Sequence, residues 1–95
     1  MIEFDYTNYR GERSLRKVVP IRFWAGVTRW YPTPQILLQA FDLVKHDERH
    51  FAVSEMDRNA VVQAALFIQQ KLEERVTELY DSRRRGRDGR GDRRR

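Results

Sequence analysis

The sequence predicts a mainly β protein: a small barrel of about five short strands, then one long α-helix, then a disordered arginine-rich tail. Three observations lead there. Ile2, Phe4 and Tyr6 alternate with Glu3, Asp5 and Thr7, the period of a strand with one buried face. From Val61 to Leu79 the apolar positions switch to helical spacing. Residues 81–95 contain only Asp, Ser, Arg and Gly, which have nothing to bury against their chain entropy.

The elements follow in order. Asn8 to Glu12 forms a turn in which Gly11 supplies a positive φ. Ser14 to Val19 resumes as a basic strand carrying Arg16 and Lys17. Pro20 lacks a ladder N–H, so it marks an edge, bulge or bend, and Ile21 to Phe23 continues beyond it as a third strand. Trp24 to Pro34, with Gly26, Pro32 and Pro34, reads as a loop. Ile36 to Val44 is nearly all apolar and reads as the central strand, Lys45 to Glu48 as a polar turn, and Arg49 to Val53 as the last strand. Sharp bends between such short strands are how a small sheet curls into a barrel.

At Ser54 the pattern changes. Ser54 is placed to cap a helix, with Asp57 at its third position as a weak capping box. The helix is expected from about Glu55 to Tyr80, with Val61, Ala65, Ile68 and Leu72 buried. That is about 37 Å at roughly 1.5 Å per residue, longer than a barrel of this size covers. Two readings compete: a helix that plugs its own barrel and projects its end into water, or one that also forms a homodimer through Val61, Ile68, Leu72, Val76 and Leu79. The domain plan is a barrel over 1–56, a helix over 57–80 and a tail over 81–95.

Charge and composition bound the function. Of the net +5, the tail carries all: eight Arg against three Asp, while residues 1–80 balance 11 basic against 11 acidic. A globally basic nucleic-acid-binding fold would carry its excess on the fold itself. Cysteine is absent, which excludes disulfides, thiolate zinc sites and thiol catalysis. No apolar run reaches the length of a membrane span and the chain starts directly in a strand pattern, so a cytoplasmic location is expected.

His46 and His50 have the spacing of the H-E-x-x-H zinc motif, but Asp47 replaces its Glu and the segment is a turn and strand start. Polar hairpin residues account for them better, and no metal or other cofactor is expected. Asp5, Asp42 and Asp47 offer no paired geometry, so no catalytic residue is assigned and a non-enzymatic protein is expected. Arg90-Gly91-Asp92 is a product of tail composition. The aromatics Tyr6, Tyr9, Trp24, Trp30 and Tyr31 lie among Arg10, Arg13, Arg22 and Arg29, a pattern suited to stacking bases while neutralising phosphates. The competing reading has Trp24 and Trp30 closing the barrel's open end as core. In the tail, Arg83, Arg84, Arg85, Arg87 and Arg90 would add affinity for nucleic acid without reading sequence, or serve only solubility.

The chain resembles the WYL domain family, small Sm-like β-barrels found mostly in bacterial transcription and phage-defence regulators. The resemblance runs from Ile2-Glu3-Phe4-Asp5-Tyr6 through Asn8-Tyr9-Arg10-Gly11-Glu12 to Arg16-Lys17-Val18-Val19-Pro20, similar to the family's R-x-V-x-P strand. Ile36-Leu37-Leu38-Gln39-Ala40-Phe41-Asp42 falls where W-Y-L-x-A-Y-D belongs, and Arg49 to Met56 where R-x-F-R-L-D-R-I belongs. Trp30 to Leu38 (WYPTPQILL) resembles the W-H-P-x-P-Q-W-L-L run of short stand-alone members. Ile36 and Leu37 replace the name-giving aromatic pair, and Ala52 and Glu55 replace two arginines, one of them often implicated in ligand contact.

The resemblance implies a regulatory module that binds an anionic ligand of nucleic-acid or nucleotide type through Arg10, Arg16, Tyr9, Trp30 and Tyr31. Single-stranded nucleic acid or a nucleotide is the expected partner, with a regulatory protein as another. The alternative is a protein-interaction or dimerisation scaffold with no ligand of its own. No DNA-reading helix-turn-helix precedes the barrel pattern in this sequence.

Overall fold

The computed structural model describes residues 1–88. Four strands, β1 (Ile2–Thr7), β2 (Arg13–Gly26), β3 (Gln35–Asp42) and β4 (Asp47–Ala52), form one antiparallel sheet in sequence order. A single 3₁₀ turn over Val53–Glu55 leads to one helix, α1 (Arg58–Asp88). The protein is therefore mainly β with a C-terminal helix, as expected, but the sheet is open. It is not a closed barrel, and it has four strands instead of five.

The strand count differs because Pro20 bends β2 without ending it. The register with β3 shifts between Pro20 and Arg22, leaving Ile21 as an extra residue in a bulge. The expected second and third strands are thus two arms of one strand of 14 residues. Its second arm reaches Gly26, and a Cβ on Gly26 would lie 2.5 Å from the Trp24 ring. That arm takes in Trp24, which the sequence had suggested for a loop. The last hairpin turns through Leu43 to His46, with His46 at φ 57°, so β4 begins at Asp47.

The first turn forms as expected. Gly11 has φ 83°, and Gly11 N–H donates to the Asn8 carbonyl at 2.8 Å. The Asn8 side-chain oxygen also accepts from the N–H groups of Arg10 (2.9 Å) and Glu12 (3.0 Å), an Asx arrangement that braces the turn.

One face of the sheet is the core. Register pairs Ile2 with Val18, and Leu38 with Phe51, all buried. The rings of Phe4, Tyr6 and Phe51 meet edge to face at centroid distances of 5.0–6.1 Å. These contacts bring β1 and β4, the two sheet edges, to opposite sides of one cluster. No backbone ladder joins them. Instead the N–H of Ala52, on β4, donates to the Tyr6 hydroxyl, on β1, at 2.7 Å.

Met56, just after the 3₁₀ turn, and Ala60 and Ala64 on α1 close the core, with Val61 and Ile68 half-covered beside them. This corrects the expected buried set: Ala65 is exposed, and Leu72 is 62% exposed. Small alanines let the helix approach the sheet closely, whereas Leu72 continues the line of Val61 and Ile68 past the end of the core. The helix start is corrected too. Asp57 caps it, accepting from Ala60 N–H at 2.7 Å, while Ser54 belongs to the 3₁₀ turn. The helix end moves from Tyr80 to Asp88, so residues 81–88 are helical backbone. Arginine is a good helix former and propagation needs no new nucleus, which lets α1 run on into the arginine-rich segment. The rest of the expected tail, 89–95, lies outside the described residues.

Tyr6→Phe keeps the ring contacts but leaves the buried Ala52 N–H without its acceptor. Chemical denaturation should show a loss of about 1–3 kcal/mol with the sheet signal unchanged in circular dichroism.

Candidate ligand-binding site

The core face changes character at one end. Strand alternation turns Arg16 inward beside Phe4, Asp42 beside Val18, and Arg49 beside Ala40. A row of apolar side chains thus gives way to charged ones. The Arg16 side chain is only 13% exposed, with its guanidinium 5.7 Å from both the Tyr6 and Phe51 ring centroids. Its Nη1 lies 3.5 Å from Asp42 Oδ2, and its Nε is buried with no hydrogen-bond partner.

Asp42 is buried for a structural reason. Its Oδ1 accepts from the N–H groups of Val44 (2.9 Å) and Lys45 (3.0 Å), which shapes the β3–β4 turn. Oδ2 faces Arg16 and lies 4.0 Å from Arg49 Nε. The carboxylate is thus compensated on both oxygens, the condition for keeping a charge inside a small fold.

Tyr31 joins this end from the β2–β3 loop. Its hydroxyl is hydrogen-bonded to that of Tyr6. Thr28 shapes the loop, its Oγ1 accepting from Tyr31 N–H (2.9 Å) and Trp30 N–H (3.2 Å). Burial first, and then the Tyr31 hydrogen bond, push the Tyr6 phenol well above its ordinary pKa of 10.0, while the Ala52 N–H pulls the other way.

The loop also sets Trp30 against Tyr9 of the first turn. The two rings stack at 4.8 Å with planes 20° apart, yet each remains about half exposed (Tyr9 47%, Trp30 50%). Guanidinium groups flank them: Arg29 lies 4.9 Å from the Trp30 ring centroid and Arg10 lies 5.7 Å from that of Tyr9.

Below this stack is a cavity of about 410 Å³ lined by Tyr6, Tyr9, Arg16, Trp30, Tyr31 and Phe51. Asp47, Glu48, Arg49 and His50 complete its wall, so two basic residues balance two acidic ones. A cleft of about 510 Å³ adjoins it and shares Asn8, Tyr9, Arg16 and Arg49. Its wall adds Arg10 and Lys45, which with Arg16 and Arg49 outnumber Glu12 and Asp42. One compartment is aromatic and neutral, the other basic.

Four of the five expected ligand residues, Tyr9, Arg16, Trp30 and Tyr31, therefore line one cavity, and Arg10 lines the adjoining cleft. Arg49 and Lys45 were not foreseen as site residues, whereas Tyr6 stood among the aromatics interspersed with arginines. Arg49 was within reach of the alternation, two positions before Phe51; Lys45 arrives only through the turn geometry around Asp42. Trp24 takes no part. It lies on the outer face, where its Nε1–H donates to His50 Nδ1 at 3.0 Å. Neither tryptophan closes the core as the competing reading had it. Arg83, Arg84, Arg85 and Arg87 fall on the last turns of α1, Arg83 about 34 Å along the axis from Ala60 at roughly 1.5 Å per residue. Arg90 lies outside the described residues. Of the expected dimer residues, Val61 and Ile68 lean on the protein's own core, while Leu72, Val76 and Leu79 are exposed.

Among the described residues no group of three His, Asp or Glu side chains is placed to hold a metal ion, and no helix is long and apolar enough to cross a membrane. Comparison with protein-family models, with curated proteins and with solved structures finds no match.

Asp42→Ala removes the counter-charge of a buried guanidinium and the acceptor for two turn N–H groups. It should cost about 3–5 kcal/mol in denaturant titrations. In a spectrophotometric alkaline titration the Tyr6 phenol should ionise well above the ordinary tyrosine value of 10.0. The folded pKa is raised above the unfolded 10.0, so this contribution to stability is full below that pH and is lost as pH rises beyond it.

Proposed function

We propose that this protein is a non-enzymatic, WYL-like regulatory module that binds a nucleotide or single-stranded nucleic acid at the paired compartments. The observation that carries the reading is their adjacency. An aromatic, charge-balanced cavity suits a base, whose face stacks and whose edge hydrogen-bonds to groups such as Asp47, Glu48 and Arg49. The cleft beside it has an excess of basic residues and suits the attached phosphate. Arg16 belongs to both, and its buried Nε has a donor to spare. The resemblance to the Sm-like barrels of the WYL family supports the same ligand class, because Arg10 and Arg16 stand in its motifs.

The arginine-rich segment from Arg83 onward then adds affinity from a distance. Arg83 to Arg87 lie far along α1, and the sequence beyond Tyr80 holds all of the chain's net positive charge, so it attracts phosphates without discriminating among them.

Binding is checked with nucleoside monophosphates and short single-stranded DNA and RNA, following tryptophan emission in a Trp24→Phe background so that Trp30 alone reports. Quenching is expected on binding. Tyr9→Ala or Trp30→Ala, the latter followed by calorimetry, should weaken it by about 1–3 kcal/mol, the worth of one stacked base. Truncation after Tyr80 should flatten the salt dependence on single strands, by about 0.7 in slope for each phosphate that the arginines no longer neutralise. Absence of binding even at low ionic strength rejects the reading and leaves an interaction scaffold in its place.

A further inference from the structure

Asp47 holds a place in the cavity that neither the aromatic stack nor the phosphate cleft explains. β4 pairs it with Asp42, so it shares the inward face with Arg49 two positions on. It lines the cavity but not the cleft, whereas Arg49 lines both. Its Oδ1 accepts from Glu48 N–H at 2.8 Å, and among the described residues Oδ2 has no hydrogen bond or ion pair. Glu48 is engaged on the outer face instead. Its Oε1 accepts from Gln39 Nε2 at 2.8 Å, and Gln39 Oε1 accepts from Arg22 Nε at 2.7 Å. Arg49 reaches Asp42 only through Nε at 4.0 Å, which leaves both of its Nη groups to a ligand. One strand thus offers, about 7 Å apart, a carboxylate that only accepts and a guanidinium that only donates.

We infer that the nucleotide taken by this site carries guanine, read by Asp47 and Arg49; the inference rests on the nucleotide reading above. Guanine alone among the common bases sets two adjacent donors, N1–H and the N2 amine, next to two adjacent acceptors, O6 and N7. The donors match a carboxylate and the acceptors match an arginine, each as a charge-assisted bidentate pair. Adenine and cytosine bring one amino group next to a ring-nitrogen acceptor, and uracil brings one N–H between two carbonyls. A carboxylate paired with any of those edges sets its second oxygen against an acceptor, a repulsive contact that discriminates. Charge also fixes the orientation. Asp47 repels a phosphate and stands only in the cavity, while Arg10, Arg16 and Lys45 attract one in the cleft, so base and phosphate do not exchange places. The Tyr9–Trp30 stack lies above the cavity and supplies a ring face for the base.

The test is calorimetric titration of the full chain with GMP, IMP, AMP and CMP at low ionic strength. GMP should bind about 5- to 150-fold more tightly than AMP, the worth of one bidentate base contact. IMP keeps N1–H, O6 and N7 but lacks the N2 amine, and should fall between them. Asp47→Asn keeps an acceptor for Glu48 N–H, so its circular dichroism should match the parent, yet GMP should lose most of its lead over IMP and AMP. Reading ratios removes the general effect of deleting a negative charge near a phosphate. AMP or CMP binding as tightly as GMP overturns the guanine assignment and leaves the nucleotide site standing. Failure of all four to bind overturns the site and this assignment together. A GMP lead that survives Asp47→Asn undiminished overturns the part given to Asp47.

Discussion

The Tyr6 hydroxyl is the constraint on which the rest of the structure depends. A four-stranded sheet has two edges, and a buried edge N–H must find an acceptor. In a closed barrel, Ala52 N–H would meet a backbone carbonyl of a neighbouring strand about 4.8 Å away. Here it meets a phenol at the end of a side chain rooted in β1, so the two edges stand a full tyrosine apart. The sheet is closed by a side chain and not by a ladder. The same hydroxyl also bonds Tyr31, so one oxygen fixes the first strand, the last strand and the β2–β3 loop. The cavity borders this junction, with Tyr6, Tyr31 and Phe51 all in its wall.

That geometry divides the inner face. Where α1 covers it, Phe4, Val18, Leu38 and Phe51 pack against Ala60 and Ala64 as an apolar core. At the polar end the inward positions belong to Arg16, Asp42 and Arg49. A charge here has to be neutralised from within, and Asp42 does so while using its other oxygen to build the β3–β4 turn. Arg16 is held over two aromatic faces but is incompletely hydrogen-bonded. An arginine held rigidly with an unused donor loses little conformational entropy when an anion or a base edge reaches it, which is the physical meaning of a preorganised site.

What was legible in the sequence was local. Alternation over Ile2 to Thr7, the turn from Asn8 to Glu12 with its positive-φ Gly11, and the disturbance at Pro20 each depend on neighbours in the chain, and each appears in the structure. Most of the site was legible because Tyr9, Arg16, Trp30 and Tyr31 stand out as aromatic and basic residues in short motifs. What could not be read was set by distant contacts. Pro20 signals a break, but whether the strand ends there or bulges depends on β3 beside it. The helix face was misread because a pattern of large apolar residues marks amphipathicity without naming which face meets the sheet. The contact goes to Ala60 and Ala64, whose small side chains permit close approach, and close approach is not a property of any window of sequence.

α1 has more apolar surface than its fold needs because it outruns the sheet. Val61 and Ile68 pack on the core, and Leu72 and Leu79 continue their line along the helix at about 100° per residue. The core contact ends near Ile68, and the apolar residues past it lie beyond the reach of β1–β4. The protein measures 62 × 24 × 24 Å, and the 31-residue helix is itself about 46 Å long at roughly 1.5 Å per residue. Charge follows the same division. Residues 1–80 are neutral in sum, so attraction for an anion within the fold comes from the local excess around Arg10, Arg16, Lys45 and Arg49, while the net charge is carried beyond Tyr80. Short-range recognition therefore belongs to the sheet and its loops, and long-range attraction to the sequence beyond Tyr80. Screening makes only the second strongly dependent on salt, because the first acts from partly buried groups at contact distance.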